Sequence, residues 1–281
     1  MTYPLKKMIV NAGAGFALLM ALGKTVPVWA DPPSDQQSEA AMPDDSDEGP
    51  GLHAAVAAGI ATVPKFPGSA HNRTQGIPAI TLSYGRFSLG PGDGGPALKF
   101  AALDAAGFKA GIEVTGSFRD LRRATDDPLL KGLGDVKAAV RTGVFANYEY
   151  EWLSLKSSVL WDVNGTRQGL LATLGATAEY HPTRAWRLTA GPRLVFGNGE
   201  YERTVFGIDA LQSRDSGRQE YVPKGGLTEA GLDFGAMYQF TPHWNAGAAI
   251  GLTRLEGDSG KSPIVENKNQ HDVVAFFGYR F

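Results

Sequence analysis

A chain of 281 residues with 27 basic and 29 acidic side chains and no cysteine has no disulfide framework and no thiolate metal cluster. Three basic groups (Lys6, Lys7, Lys24) and seven acidic ones fall within the first 50 residues, which leaves 24 basic and 22 acidic groups in 51–281. That near-neutral balance lacks the basic surface a nucleic-acid partner needs, so no nucleic acid is expected.

In chain order, the first segment is "MTYPLKKMIVNAGAGFALLMALGKTVPVWA". Lys6 and Lys7 precede an apolar stretch from Met8 to Leu22, and Val28-Trp29-Ala30 offers a cleavage site, so residues 1–30 are expected to be a signal peptide cut after Ala30. Asn11, Gly13, Gly15 and Lys24 interrupt the stretch, which argues against a spanning helix. No later segment supplies roughly 18 uninterrupted apolar residues. A membrane protein of this sequence must therefore cross as strands.

Residues 31–50, "DPPSDQQSEAAMPDDSDEGP", hold seven acidic groups, four prolines and no basic group. Such a composition cannot bury enough apolar area to offset its ordering entropy, and a disordered acidic leader is expected.

From Gly51 onward the hydrophobic period is two. Phe108, Ala110, Ile112 and Val114 share one face, and Lys109, Glu113 and Thr115 share the other. Val136, Ala138, Val140, Val144, Tyr148 and Tyr150 likewise oppose Lys137, Arg141, Asn147 and Glu149. The same split recurs at 168–180, 186–196 and 229–240. Twelve strands are predicted near 52–63, 76–84, 86–90, 97–103, 107–119, 135–150, 152–162, 168–180, 186–196, 228–240, 244–256 and 271–281. Several exceed the usual 5–6 residues of globular sheets and match a tilted bilayer crossing.

Trp and Tyr fringe the apolar face near strand ends (Tyr148, Tyr150, Trp152, Tyr180, Trp186, Tyr238, Trp244, Tyr279). They predict aromatic girdles at both membrane interfaces. The connections alternate between tight turns and mostly longer loops, the periplasmic and outer pattern of outer-membrane barrels. The fold class predicted is all-β, a transmembrane antiparallel up-and-down barrel of 12 strands over residues 51–281, with the lipid bilayer and lipopolysaccharide around it.

Motifs for chemistry are weak. "GPGDGG" matches G-x-G-x-x-G through Gly90, Gly92 and Gly95, but Pro91 and Pro96 prevent the helix on which a pyrophosphate would sit. "GDSGKS" lacks the first glycine of a phosphate-binding loop, since Leu255 stands there. The histidines (His53, His71, His181, His243, His271) show no metal-ligand spacing. A membrane-embedded lipase would need Ser262, Asn269 and His271 to converge, the least favoured reading. No catalytic residue, metal or cofactor is expected.

The charges expected to face the lumen are Lys109, Glu113, Lys137, Arg141, Glu149, Arg187, Arg193, Glu229, Asp233 and Arg280, with Lys156, Asp162 and Glu179 beside them. Mixed signs predict cross-strand pairing that plugs the lumen, and the alternative is a narrow pore for small solutes or antibiotics. At the end of the chain, Phe277, Tyr279 and Phe281 form an alternating apolar face, the signal expected to be recognised by the barrel-assembly machinery.

The segments "KGLGDVKAAVRTGVFANYEY", "GGLTEAGLDFGAMYQFTPHWNAGAAIGLTRLEGDSGKSPIV" and "FFGYRF" resemble the MipA/OmpV family of MltA-interacting outer-membrane proteins. The resemblance spans roughly residues 51–281. It implies a Gram-negative outer-membrane barrel, and for the family's namesake a scaffold joining a lytic murein transglycosylase to a murein synthase. It supplies no catalytic residues, and the long acidic leader departs from the family's form.

Overall fold

The computed structural model describes residues 51–92 and 94–281, and the expected signal peptide and leader lie outside them. Twelve strands follow in order: β1 (Leu52–Pro64), β2 (Asn72–Tyr84), β3 (Phe87–Gly92), β4 (Gly95–Ala105), β5 (Phe108–Gly116), β6 (Val140–Tyr150), β7 (Leu153–Asp162), β8 (Leu170–Thr183), β9 (Trp186–Gly197), β10 (Gly226–Gln239), β11 (Trp244–Leu255) and β12 (Asn269–Arg280). Each pairs with its sequence neighbours, and β1 meets β12 antiparallel from Ala55↔Arg280 to Thr62↔Val273, so the sheet closes. Closure gives every strand a neighbour on each side, as hydrocarbon demands of a spanning sheet, and the shortest seam is β2–β3, with three paired positions from Leu82↔Leu89 to Tyr84↔Phe87.

The outward face is apolar. Along β12, Asp272, Val274 and Phe276 are buried while Val273 and Phe277 are exposed. Ile112, Val144, Leu155, Leu174, Leu232, Phe234 and Ile250 extend the exposed apolar band around the wall. A soluble protein would seldom present so continuous an apolar belt to water. Here it faces acyl chains.

The two ends of the barrel differ. At one end the strands join through the two-residue turns 85–86, 106–107, 151–152 and 184–185 and the four residues 240–243. Ala106 and Gly107 both adopt positive φ (53° and 80°), the turn geometry that follows strand twist most closely. At the other end the connections 65–71, 117–139, 163–169, 198–225 and 256–268 are longer, and only 93–94 is tight. Short turns mark the periplasmic side of such barrels.

Three details depart from the sequence expectation. β2 starts at Asn72 instead of 76, because the polar run Asn72–Gln75 pairs with Pro64–Ala61 without an apolar face to announce it. β6 starts at Val140 instead of 135, because Val136 bridges Arg122 and is buried beneath the loops. The third concerns the aromatic residues: Tyr148, Tyr150, Trp152, Tyr180, Trp186, Tyr238, Trp244 and Tyr279 all gather at the turn end. The belt is therefore one-sided, with exposed Trp161 and Phe118 near the loop end. Ring contacts run continuously through it: Trp186 to Tyr238 (5.1 Å), Tyr238 to Phe240 (5.0 Å), Phe240 to Phe277 (6.0 Å), Phe277 to Trp244 (5.0 Å), Trp244 to Tyr279 (4.7 Å) and Tyr279 to Phe281 (5.0 Å).

Candidate functional site

Inside the wall, small and apolar residues of β1, β2, β10, β11 and β12 pack into one cluster: Ala55, Ala61, Val63, Ile77, Ala79, Met237, Ala249, Val274 and Phe276. Packing of Val274 and Phe276 into this cluster is why β12 carries apolar residues on its inner face as well as on its exposed one. The remaining lumen is charged and paired across strands. Lys99 meets Glu113 at 3.2 Å and lies 5.1 Å from the Phe145 ring centroid. Arg193 reaches Asp233 at 3.1 Å, Glu229 at 3.7 Å and Thr253 Oγ1 at 3.3 Å. Arg187 meets Glu179 at 3.2 Å. Arg193 stands opposite Gly231 in the register, so its two acids are the diagonal neighbours at which long side chains pair.

Of the charges expected in the lumen, Glu113, Arg141, Arg187, Arg193 and Glu229 are buried, and Asp233, Lys109, Glu149 and Arg280 are half-buried. Arg280 Nη2 donates to the Pro242 carbonyl at the turn rim. Lys137 is the exception. It precedes β6 on the outer side, is exposed, and pairs with Asp135 (3.0 Å) and Asp120 (3.6 Å), because 135–139 belongs to a loop. Asp162 turns onto its own loop, accepting from the Asn164 and Gln168 amides and the Thr166 hydroxyl.

The outer loops fold over the mouth. Residues 198–225 contain two short helices, α1 (Gly199–Phe206) and α2 (Ala210–Ser216), started by Asn198 and by Asp209, whose capping box with Gln212 satisfies the first free amides. The buried side of α1 (Tyr201, Val205, Phe206) joins Val136 and Leu255 in a second apolar core. Phe66, Leu130, Leu133, Ile208 and Ile264 form a third, drawn from four loops. Arg122, 1% exposed, donates to the Val205 carbonyl at 2.8 Å, and burial lowers its guanidinium to about 10. Sequence spacing could not reveal the packing partners of this cap, since they lie far apart in the chain.

Beneath α1, the buried Glu202 carboxylate accepts from Thr228 Oγ1 and from Ser259 Oγ (2.6 Å). Burial raises it above the ordinary carboxyl range; the two hydroxyls oppose that, and Glu229 and Asp258 add to it. A folded-state pKa raised above the unfolded value gives stability that is full below the unfolded value and lost as pH rises through the folded one. Protease resistance of the cap should therefore fall as pH rises from about 4.5, and Glu202→Gln should flatten that profile, read by limited proteolysis across mildly acidic to neutral buffers.

Neither phosphate-loop look-alike forms such a loop. Pro91 pairs with Pro96 and Gly92 with Gly95 in the β3–β4 hairpin, and Ser259–Lys261 is a short 3₁₀ turn. Ser262 Oγ donates to the Phe206 carbonyl and His271 bonds Asn72, so these two are not hydrogen-bonded to each other. His243 Nδ1 lies 2.9 Å from the Arg280 carbonyl and stacks on Tyr279.

The profile of the family described as MltA-interacting protein MipA matches residues 56–281, nearly the whole barrel. The chain belongs to that family. Family membership and the closed strand architecture place this MipA-family protein in the outer membrane. No curated protein matches the chain. Among solved structures, an outer membrane channel from Pseudomonas putida F1 is similar at 14% identity, over 86% of this chain and 100% of that one, with a TM-score of 0.46. The NanC porin is similar at 8% identity, over 82% and 100%, with a TM-score of 0.41. OmpT of Vibrio cholerae is similar at 8%, over 82% and 97%, with a TM-score of 0.33.

Proposed function

We propose that this MipA-family barrel is a non-enzymatic adaptor that holds a lytic murein transglycosylase, and through it murein synthesis, at the inner face of the outer membrane. The observation that carries the reading is family membership over 56–281, the family being described as MltA-interacting. The interior supports it. Glu113, Arg187, Arg193, Glu229, Val274 and Phe276 are all at most 7% exposed, so lumen side chains pack on one another instead of lining a wide aqueous path. A filled and capped barrel leaves the turn end and the acidic leader as the surfaces a periplasmic enzyme can reach.

That turn end exposes Asp104, Glu151, His181, Arg184 and His243 beside the aromatic belt. Each turn is short, so contact must spread over several of them. The test is retention of a purified lytic transglycosylase by the micelle-embedded barrel. Glu151→Lys combined with Arg184→Glu should weaken retention severalfold, because charges at a contact rim steer and register a partner. Unchanged retention by that variant with 31–50 also deleted would remove the proposal. Planar-bilayer recording of the same sample addresses the pore reading: the filled lumen should give no discrete conductance steps, and regular steps would favour a channel.

A further inference from the structure

The outer cap brings together three potential metal ligands that sequence spacing separates. His71 lies in the β1–β2 loop, Asp127 in the β5–β6 loop and Glu266 in the β11–β12 loop, and their ligand atoms all fall within 4.8 Å of one another. His71 Nδ1 and Asp127 Oδ2 are 3.4 Å apart. Donors bound to one divalent ion at about 2.0–2.2 Å sit roughly 3–3.5 Å from each other, so this pair already has the required separation. Glu266 offers the third donor within 4.8 Å of both.

The backbone around these donors is fixed. Lys65 N donates to the His71 carbonyl, and the Ser69 hydroxyl bonds both the amide and the carbonyl of His71. Glu266 and Asn267 amides donate to the Gly68 carbonyl, while Gln270 ties Gly68 and Ser69 to its own strand. Asp127 caps the Pro128–Leu130 turn by accepting from the Leu129 amide through Oδ1. Phe66, Leu130 and Ile264, all from the same apolar core, anchor the three loops within a few residues of the donors. With the backbone of the three loops held this way, only side-chain rotation is needed for the donors to close around an ion.

Charge supplies a second, independent argument. Asp127 is only 8% exposed, and its one ionic partner among the described residues is His71. Glu266 makes no ion pair among the described residues; its Oε2 accepts from the Ala70 amide. Two neighbouring carboxylates, the buried Asp127 and the exposed Glu266, with no Lys or Arg ion-paired to either among the described residues, leave negative charge beside His71 that a divalent cation would balance.

We propose that His71, Asp127 and Glu266 form a binding site for a divalent transition-metal ion that clasps three outer loops over the barrel mouth. One imidazole and two carboxylates suit Zn²⁺ and its neighbours better than Ca²⁺ or Mg²⁺, which prefer oxygen donors throughout. The ion would join the same three loops that the core of Phe66, Leu130 and Ile264 already brings together, adding a coordinate link to the apolar one.

The experiment uses the tag-free mature chain in detergent micelles, stripped with chelator and titrated calorimetrically with ZnCl₂, then with CaCl₂ and MgCl₂. One Zn²⁺ per chain at micromolar or tighter affinity is expected, with protease cleavage within 117–139 slowed. His71→Ala and Glu266→Gln alter exposed side chains, so both should retain the heat-modifiable gel migration of a folded barrel. Each should weaken Zn²⁺ binding by about tenfold or more, at least the loss that removing an outer-shell partner causes. No saturable Zn²⁺ binding, binding that survives both substitutions, or tighter Ca²⁺ than Zn²⁺ binding would overturn the site.

Discussion

A chain lacking Phe281 is expected to reach the outer membrane at a small fraction of the normal level, although the same chain should still fold into a closed barrel in micelles. In the folded state Phe281 contributes little. Its amide donates to the Ala54 carbonyl at 3.0 Å, and its ring, 72% exposed, meets Tyr279 edge to face at 5.0 Å. Such a hydrogen bond is worth about 0.5–1.5 kcal/mol, and the ring pair about 0.5–1.5 kcal/mol. Neither threatens a barrel whose β1–β12 seam retains eight paired positions between Ala55 and Thr62. A large loss in cells therefore points to recognition of the terminal strand during assembly. Phe281→Tyr should preserve levels and Phe281→Ala should not, measured by membrane fractionation beside in vitro refolding yield. Normal outer-membrane levels of the truncated chain would defeat the account.

The wall was legible because lipid imposes a rule that acts within each strand. Ile112 and Val144 must face out and Glu113 and Arg141 in, so period two shows directly in the residues. Tight turns show equally well, since Ala106-Gly107 and Glu151-Trp152 interrupt that period at once. The rule fails where a residue serves a neighbour distant in sequence. Val136 continues the alternation of β6 on paper yet packs with Tyr201 and Phe206, which lie in another loop. Lys137 follows it out of the wall and pairs with Asp120 and Asp135. The apolar lumen cluster around Phe276 also stayed hidden, because a strand with Val274 and Phe276 facing inward differs little in composition from one facing a soluble core. His71, Asp127 and Glu266 are the extreme case, since only folded loops bring them together.

Cap and wall should come apart under Phe206→Ala. Phe206 is completely buried, packs with Val136, Tyr201, Val205 and Leu255, and accepts from Ser262 Oγ through its carbonyl. Truncating a buried phenylalanine costs about 3–5 kcal/mol, through lost burial and the cavity left behind. That is comparable to the whole stability of a small folded unit, and the cap's cores are small. The barrel wall does not depend on the residue, since Phe206 lies in α1 and makes no ladder hydrogen bond. The expected result is rapid protease cleavage within 117–139 and 198–225, with unchanged heat-modifiable migration of the barrel. Arg122 sharpens the test. Its guanidinium is held by the Val205 carbonyl one residue before Phe206, so opening the cap releases a buried charge to water, and desolvating that charge again adds to the cost of reclosing. Loss of barrel migration in Phe206→Ala would mean that cap and wall form one cooperative unit. Protease resistance equal to that of the unaltered chain would mean that the loops are held by forces other than their apolar cores.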